Sequence, residues 1–324
     1  MKKYDRLNEL SELENVCILT HINPDYDAIC SSIVFASFIK KQFNVKNIDI
    51  FSDNFEKFSG YNYFKQYINV NEQKGKYDCV IMLDANESSR LGKYESIFVS
   101  CAKTICIDHH IKKQIPAELY IYDLASSTCE MVYDICAEFN YELTKADYGM
   151  LYAGIINDTG SFAVGGVGKH AYDIAGECVE HINQPHIYEK CFGTVKSNVL
   201  DLYAKLIKNK KQFYNGQLVY SIVKTDKTHL FENYSYAINN LQNIENCKIC
   251  VVIEPIESGY YVHLRAKRGY DVSIIANENG GGGHRGAAAF KTRLKARALQ
   301  RFLVEELGKQ LTQTTIDDDN IFDL

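Results

Sequence analysis

His21-Ile-Asn-Pro24-Asp25-Tyr-Asp27-Ala-Ile-Cys30 follows directly on the apolar run Val16-Cys17-Ile18-Leu19. A short apolar run closed by a proline turn reads as a buried strand, and the helical spacing of apolar residues over 27–43 reads as a helix. A strand that ends in a histidine and two aspartates just before a helix is the junction at which open parallel sheets bind ligands.

The same alternation continues outward. Strands are expected at 16–22, 47–52, 77–84 and 104–109, and helices at 27–43, 127–140, 144–157 and 169–182. Ser127 or Thr128 and Thr144 stand at cap positions, with Asp147 at capping-box spacing from Thr144. This order predicts an α/β domain, a parallel sheet flanked by helices, over 1–185. An amphipathic Lys-rich stretch at 186–214 reads as a helical linker. A smaller α/β domain at 215–324 follows, with strands at 217–224, 249–255 and 260–267, a glycine run, and a helix over about 294–311. The acidic tail from Thr312 is expected to fray.

Composition limits the function. The 324 residues are 46% hydrophobic and carry a net charge of -5, so the chain can bury a core but does not coat nucleic acid with a basic surface. The N-terminus lacks the apolar segment of a signal peptide, and no window approaches a membrane span, so a cytoplasmic location is expected. Eleven cysteines lie within apolar runs, which predicts buried thiols. Cys247-Lys-Ile-Cys250 lacks a second pair at zinc-site spacing.

Three predicted strands end in metal-ligand types: His21 with Asp25 and Asp27, then Asp84, then Asp108-His109-His110. Each acid alone has a plainer reading as a helix cap. Together they would repel one another at one sheet edge unless cations neutralised them. Asp158, in Asn157-Asp158-Thr159-Gly160, closes a predicted helix where the dipole disfavours an anion, and so also calls for a cation, although an Asx turn explains it too. Histidine and aspartate without cysteine suit Mn²⁺, with Mg²⁺ as the alternative. A pair of such ions is suited to phosphoester hydrolysis by an activated water.

These segments, in this order, resemble the successive motifs of the DHH phosphoesterase family, and Gly280-Gly281-Gly282-Gly283-His284 is similar to the glycine-histidine motif of its associated substrate-binding domain. The resemblance implies His21, Asp25 and Asp84 around one manganese ion. It implies Asp27, Asp84, His109 and Asp158 around the other, with Asp84 bridging. Asp108 and His110 would orient imidazoles and move protons, and His110 is open to roles as phosphate contact or general acid. Arg265, Gly281, Gly282, Gly283, His284 and Arg285 would grip the substrate. The alternation in 260–267 sets Tyr261, His263, Arg265 and Lys267 on one basic, aromatic face.

Within the family, the two-domain length resembles the nanoRNase branch, acting on short oligoribonucleotides and on 3'-phosphoadenosine 5'-phosphate (pAp). Cyclic or linear dinucleotide hydrolysis, single-strand exonuclease activity, and nucleotide or RNA binding over a silent metal site are the alternatives. A homodimer is plausible. Where the family pattern has glycine before serine, this chain has Cys30-Ser31.

Overall fold

The computed structural model describes residues 3–69, 75–110, 115–163, 167–195, 197–223 and 234–313. Its contacts divide the chain into two units, Met1–Thr194 and Val195–Leu324.

The first unit is built on five parallel strands, β1 (Asn15–Thr20), β2 (Asn47–Ser52), β3 (Cys79–Leu83), β4 (Thr104–Asp108) and β5 (Leu119–Tyr122), in the order β2-β1-β3-β4-β5. Side chains alternate between faces, so a strand covered on both sides must be apolar throughout. Accordingly Val16 and Ile18 join one core and Cys17 and Leu19 the other. The first core is closed by α1 (Tyr26–Gln42), α4 (Thr128–Glu138), α5 (Lys145–Asp158) and α6 (Lys169–His181). The short helices α2 (Tyr61–Phe64) and α3 (Glu95–Ser100) complete the set before α7 (Gln184–Cys191), and Phe98 of α3 fills the second core.

The caps follow the sequence. Ser127 accepts from the Glu130 N–H, and Thr144 and Asp147 form a reciprocal capping box. Strand β5 was not among the expected strands, because its four edge residues leave too short an apolar run to stand out. Cys30 is fully buried in α1, so the thiol is accommodated where the family pattern has glycine. The close approach falls instead at Gly154 of α5, where an added Cβ would collide with Cys129 Sγ and lie 2.8 Å from Asp27 Oδ1.

The stretch 186–214 is not one connector. Helix α7 belongs to the first unit, where the Phe192 ring meets Tyr26 at 5.0 Å. Helix α8 (Ser197–Asn209) belongs to the second, whose core takes Leu202 and Leu206. Both helices share one amphipathic pattern, so periodicity alone does not divide them.

The second unit holds a mixed six-stranded sheet in the order β10-β11-β9-β8-β7-β6, made of β6 (Lys211–Phe213), β7 (Leu218–Ile222), β8 (Ile249–Ile256), β9 (Gly259–Ala266), β10 (Gly282–His284) and β11 (Ala287–Thr292). Helices α8 and α9 (Tyr234–Gln242) cover one face, and α10 (Ser273–Glu278) and α11 (Ala296–Gln313) the other. The glycine run becomes strand β10. Gly283, at φ +137°, lies so close to β11 that a Cβ would sit 2.5 Å from Ala288 Cα. Lys224, expected in a strand, and the tail from Thr314 lie outside the described residues.

All eleven cysteines are free thiols, nine of them buried. No helix among the described residues is long and apolar enough to cross a membrane.

Gly154→Ala should lower unfolding stability by about 1–3 kcal/mol through overpacking, although alanine is the better helix former. Denaturant titration would measure it, and adding Cys129→Ala should restore much of the loss.

Candidate metal centre

The C-terminal ends of β1, β3 and β4 and two helix ends bring His21, Asp25, Asp27, Asp84, Asp108, His109, His110 and Asp158 together. Asp84 is the centre. It lies just past β3 at φ +58°, a left-handed conformation uncommon outside glycine and asparagine, and its N–H is tied to the Ile107 carbonyl at 3.1 Å. Its Oδ2 is 3.3 Å from His21 Nε2, and its Oδ1 is 3.5 Å from His109 Nε2 and 3.0 Å from Thr128 Oγ1.

Around it two clusters form, one of His21, Asp25 and Asp84, the other of Asp27, Asp84, His109 and Asp158. In each, the ligand atoms lie within 4.8 Å of one another. A third grouping joins Asp84, His109 and His110. Asp25 is both helix cap and cluster member, since its Oδ1 accepts from the Ala28 N–H at 3.0 Å and faces His21 Nε2 at 4.0 Å. The cap and the ligand readings of this aspartate therefore do not compete.

Asp27 is fully buried, and its carboxylate accepts the N–H groups of Thr128 and Cys129 at 2.7 and 2.8 Å. These are the first two residues of α4, where unpaired N–H groups and the helix dipole favour an anion. Asp158 ends α5 and meets His109 Nε2 at 3.1 Å. His109 Nδ1 lies 3.2 Å from the Ala125 carbonyl and His21 Nδ1 3.0 Å from that of Ile22, so each ring turns Nε2 toward the carboxylates. The buried His109 Nε2 completes no aligned hydrogen bond despite two carboxylates nearby, as expected of donor atoms arranged around a common point. Asp108 is buried beside them, its Oδ1 2.8 Å from His110 Nδ1.

Electrostatics follow from this crowding. Burial and the charge of Asp158 push Asp25 up to about 6, and burial with Asp158 and Asp84 drives Asp27 well above the usual carboxylate range. Burial opposes ionisation of Asp84 too, but His109 and His21 outweigh it and hold Asp84 well below that range. His109 is pushed up to about 12, because Asp158 and Asp84 overcome its burial. Protons and imidazolium here balance negative charge that divalent cations would balance better. The all-oxygen-and-imidazole donor set suits Mn²⁺ or Mg²⁺. Cys247 and Cys250, by contrast, are buried thiols outside every potential ligand group among the described residues.

Sequence reading missed the supports. Thr128, Cys129 and Ser52, whose Oγ donates to the His21 carbonyl at 3.1 Å, carry no metal-ligand signature. Only the cap signal at Ser127 marked the helix end beneath Asp27.

In the second unit, Arg265 and His263 share a face of β9 with Tyr261, while Val262, Leu264 and Ala266 point into the core. Strand register puts Ala287 and Ala289 of β11 opposite Arg265 and His263, and Gly282 and His284 of β10 opposite those alanines. Small residues thus flank His284 and Arg265 along this ladder. Arg265 donates to Asn239 Oδ1 at 3.2 Å and His263 Nε2 lies 3.2 Å from Glu254. Arg285 is exposed and paired with Asp271 at 3.3 Å.

The chain matches the DHH family N-terminal domain over residues 15–155 and the DHHA1 domain over 215–312. It is 24% identical over 291 residues to the bifunctional oligoribonuclease and PAP phosphatase NrnA of Bacillus subtilis, spanning 87% of this chain and 90% of that protein. An uncharacterized protein of Mycoplasma pneumoniae is 25% identical over 87% of this chain and 88% of its own. An exopolyphosphatase-related protein from Bacteroides fragilis has the same fold, with a TM-score of 0.83 at 21% identity over 95% of this chain and 96% of that one.

Asp25 gives a pH test. Its folded value is raised to about 6 from 3.8, so its contribution to stability is present below 3.8 and lost as pH rises through 6. In chelator, the thermal midpoint should fall from pH 4.5 to 7.5. Added Mn²⁺ should raise it more at pH 7.5 than at 5, and Asp25→Asn should flatten that difference.

Proposed function

The chain carries a DHH domain followed by a DHHA1 domain, and from this we propose that it is a Mn²⁺-dependent phosphoesterase acting on short oligoribonucleotides and on pAp. The observation that carries the reading is the pair of ligand clusters sharing Asp84. Relatives named for oligoribonuclease and PAP phosphatase activity along most of both chains support the substrate class.

His21, Asp25 and Asp84 would hold one cation, and Asp27, Asp84, His109 and Asp158 the other. When bound, two such cations lower the pKa of a water and neutralise charge developing at phosphorus. The chain's own residues do the rest. Thr128 Oγ1 and the amides of α4 fix the carboxylates of Asp84 and Asp27 in orientation. Asp108 orients the His110 imidazole through its Nδ1, and that imidazole would give or take a proton at the substrate oxygen. In the DHHA1 domain, Arg265 and His284, with the backbone of Gly281, Gly282 and Gly283, offer donors to a phosphate, and Arg285 adds positive charge. Tyr261 offers a ring on which a base can stack.

The test is a side-by-side assay of pAp, linear dinucleotides, cyclic dinucleotides and longer RNA with Mn²⁺ and with Mg²⁺. Turnover of pAp and dinucleotides should exceed that of the longer RNA, and no hydrolysis of any of them would refute the proposal. Asp84→Ala should lower kcat by more than about a thousandfold while the fold is retained by circular dichroism. Arg265→Ala should cost about tenfold or more in kcat/KM, mainly through KM.

A further inference from the structure

Arg90 lies in the 3-10 turn Ser88–Tyr94, in the loop that leaves β3 after Asp84. Its carbonyl accepts a 2.7 Å hydrogen bond from the N–H of Ile22, the neighbour of His21. The turn itself is pinned. Asp53 accepts the Lys93 N–H at 3.1 Å, Ser88 Oγ donates to Glu95 at 2.7 Å, and Gly92 sits at φ +59° where a side chain would collide with Asp53. The backbone of Arg90 is therefore fastened to the strand end that carries His21.

Its side chain is half-buried, yet its guanidinium has no ion pair or hydrogen bond among the described residues. Arg6 and Arg285 are ion-paired and Arg265 is hydrogen-bonded, while Arg268, Arg293, Arg297 and Arg301 are exposed to water. That backbone bond to Ile22 sets the root of the Arg90 side chain one residue from His21, at the strand end that carries the metal centre. Partial burial of a fixed cation without an anion is costly unless an anion arrives. Two divalent cations would balance Asp25, Asp27, Asp84 and Asp158, and the charge of a substrate phosphate would then remain unmatched.

We propose that Arg90 binds the substrate phosphate at this centre, its planar guanidinium donating to the non-bridging oxygens. The assignment rests on the phosphoesterase reading above, and it makes the catalytic domain a source of phosphate recognition in its own right. A planar fork matches two phosphate oxygens where an ammonium offers a single point charge, so lysine should replace it poorly.

The experiment uses the Mn²⁺-loaded full chain, with orthophosphate binding followed by calorimetry and hydrolysis of pAp followed in parallel. Arg90→Ala should keep the wild-type Mn²⁺ stoichiometry and thermal midpoint while weakening orthophosphate binding and kcat/KM by about 10- to 100-fold. Arg90→Lys should recover only part of this, and added guanidinium should raise the activity of Arg90→Ala. Unchanged phosphate binding in Arg90→Ala overturns the assignment. So does a lowered thermal midpoint or loss of Mn²⁺ that Arg90→Lys restores in full together with activity. Wild-type protein that binds phosphate through Arg90 but hydrolyses no phosphoester would instead overturn the phosphoesterase reading alone.

Discussion

Repulsion among buried carboxylates governs the first unit. Asp25, Asp27, Asp84 and Asp158 converge at one end of a parallel sheet, two of them almost wholly out of water. Such a cluster would spread or neutralise itself unless the scaffold held each group by other means. The holding is done piecemeal: the amides of α4 take Asp27, Thr128 and two imidazoles take Asp84, and α1's own N-terminus takes Asp25. The packing of α1 against α5 through Gly154 belongs to the same scheme, because bulk there would push directly on Asp27.

Much of this was legible in the sequence. The apolar runs that became β1 to β4 are continuous because both sheet faces are covered, and the helices between them keep strong periodicity and readable caps. The ligand types at the strand ends were visible because histidine and aspartate have no packing reason to cluster after apolar strands. Residues that work through backbone groups were not legible. The Thr128 and Cys129 amides carry no side-chain signature, and their pairing with Asp27 spans more than a hundred residues.

The second unit was read less well, for a related reason. Its glycine run is consistent with a linker by composition, and only pairing with β11 makes it a strand. Likewise the amphipathic stretch 186–214 takes in residues of two helices that serve different units, a division that depends on which core takes each apolar stripe. Periodicity reports that a stripe exists and is silent about its partner.

The hold of α4 on Asp27 also bears on how the protein comes to be made. The carboxylate from the first helix finds its amides only after residues 128 and 129 have been synthesised, and Asp158 arrives later still. During translation, His21, Asp25 and Asp27 emerge before the residues whose amides and imidazole face them in the folded structure. The carboxylate cluster is thus a product of long-range closure, and a chain that ends before residue 128 lacks the amides that hold Asp27.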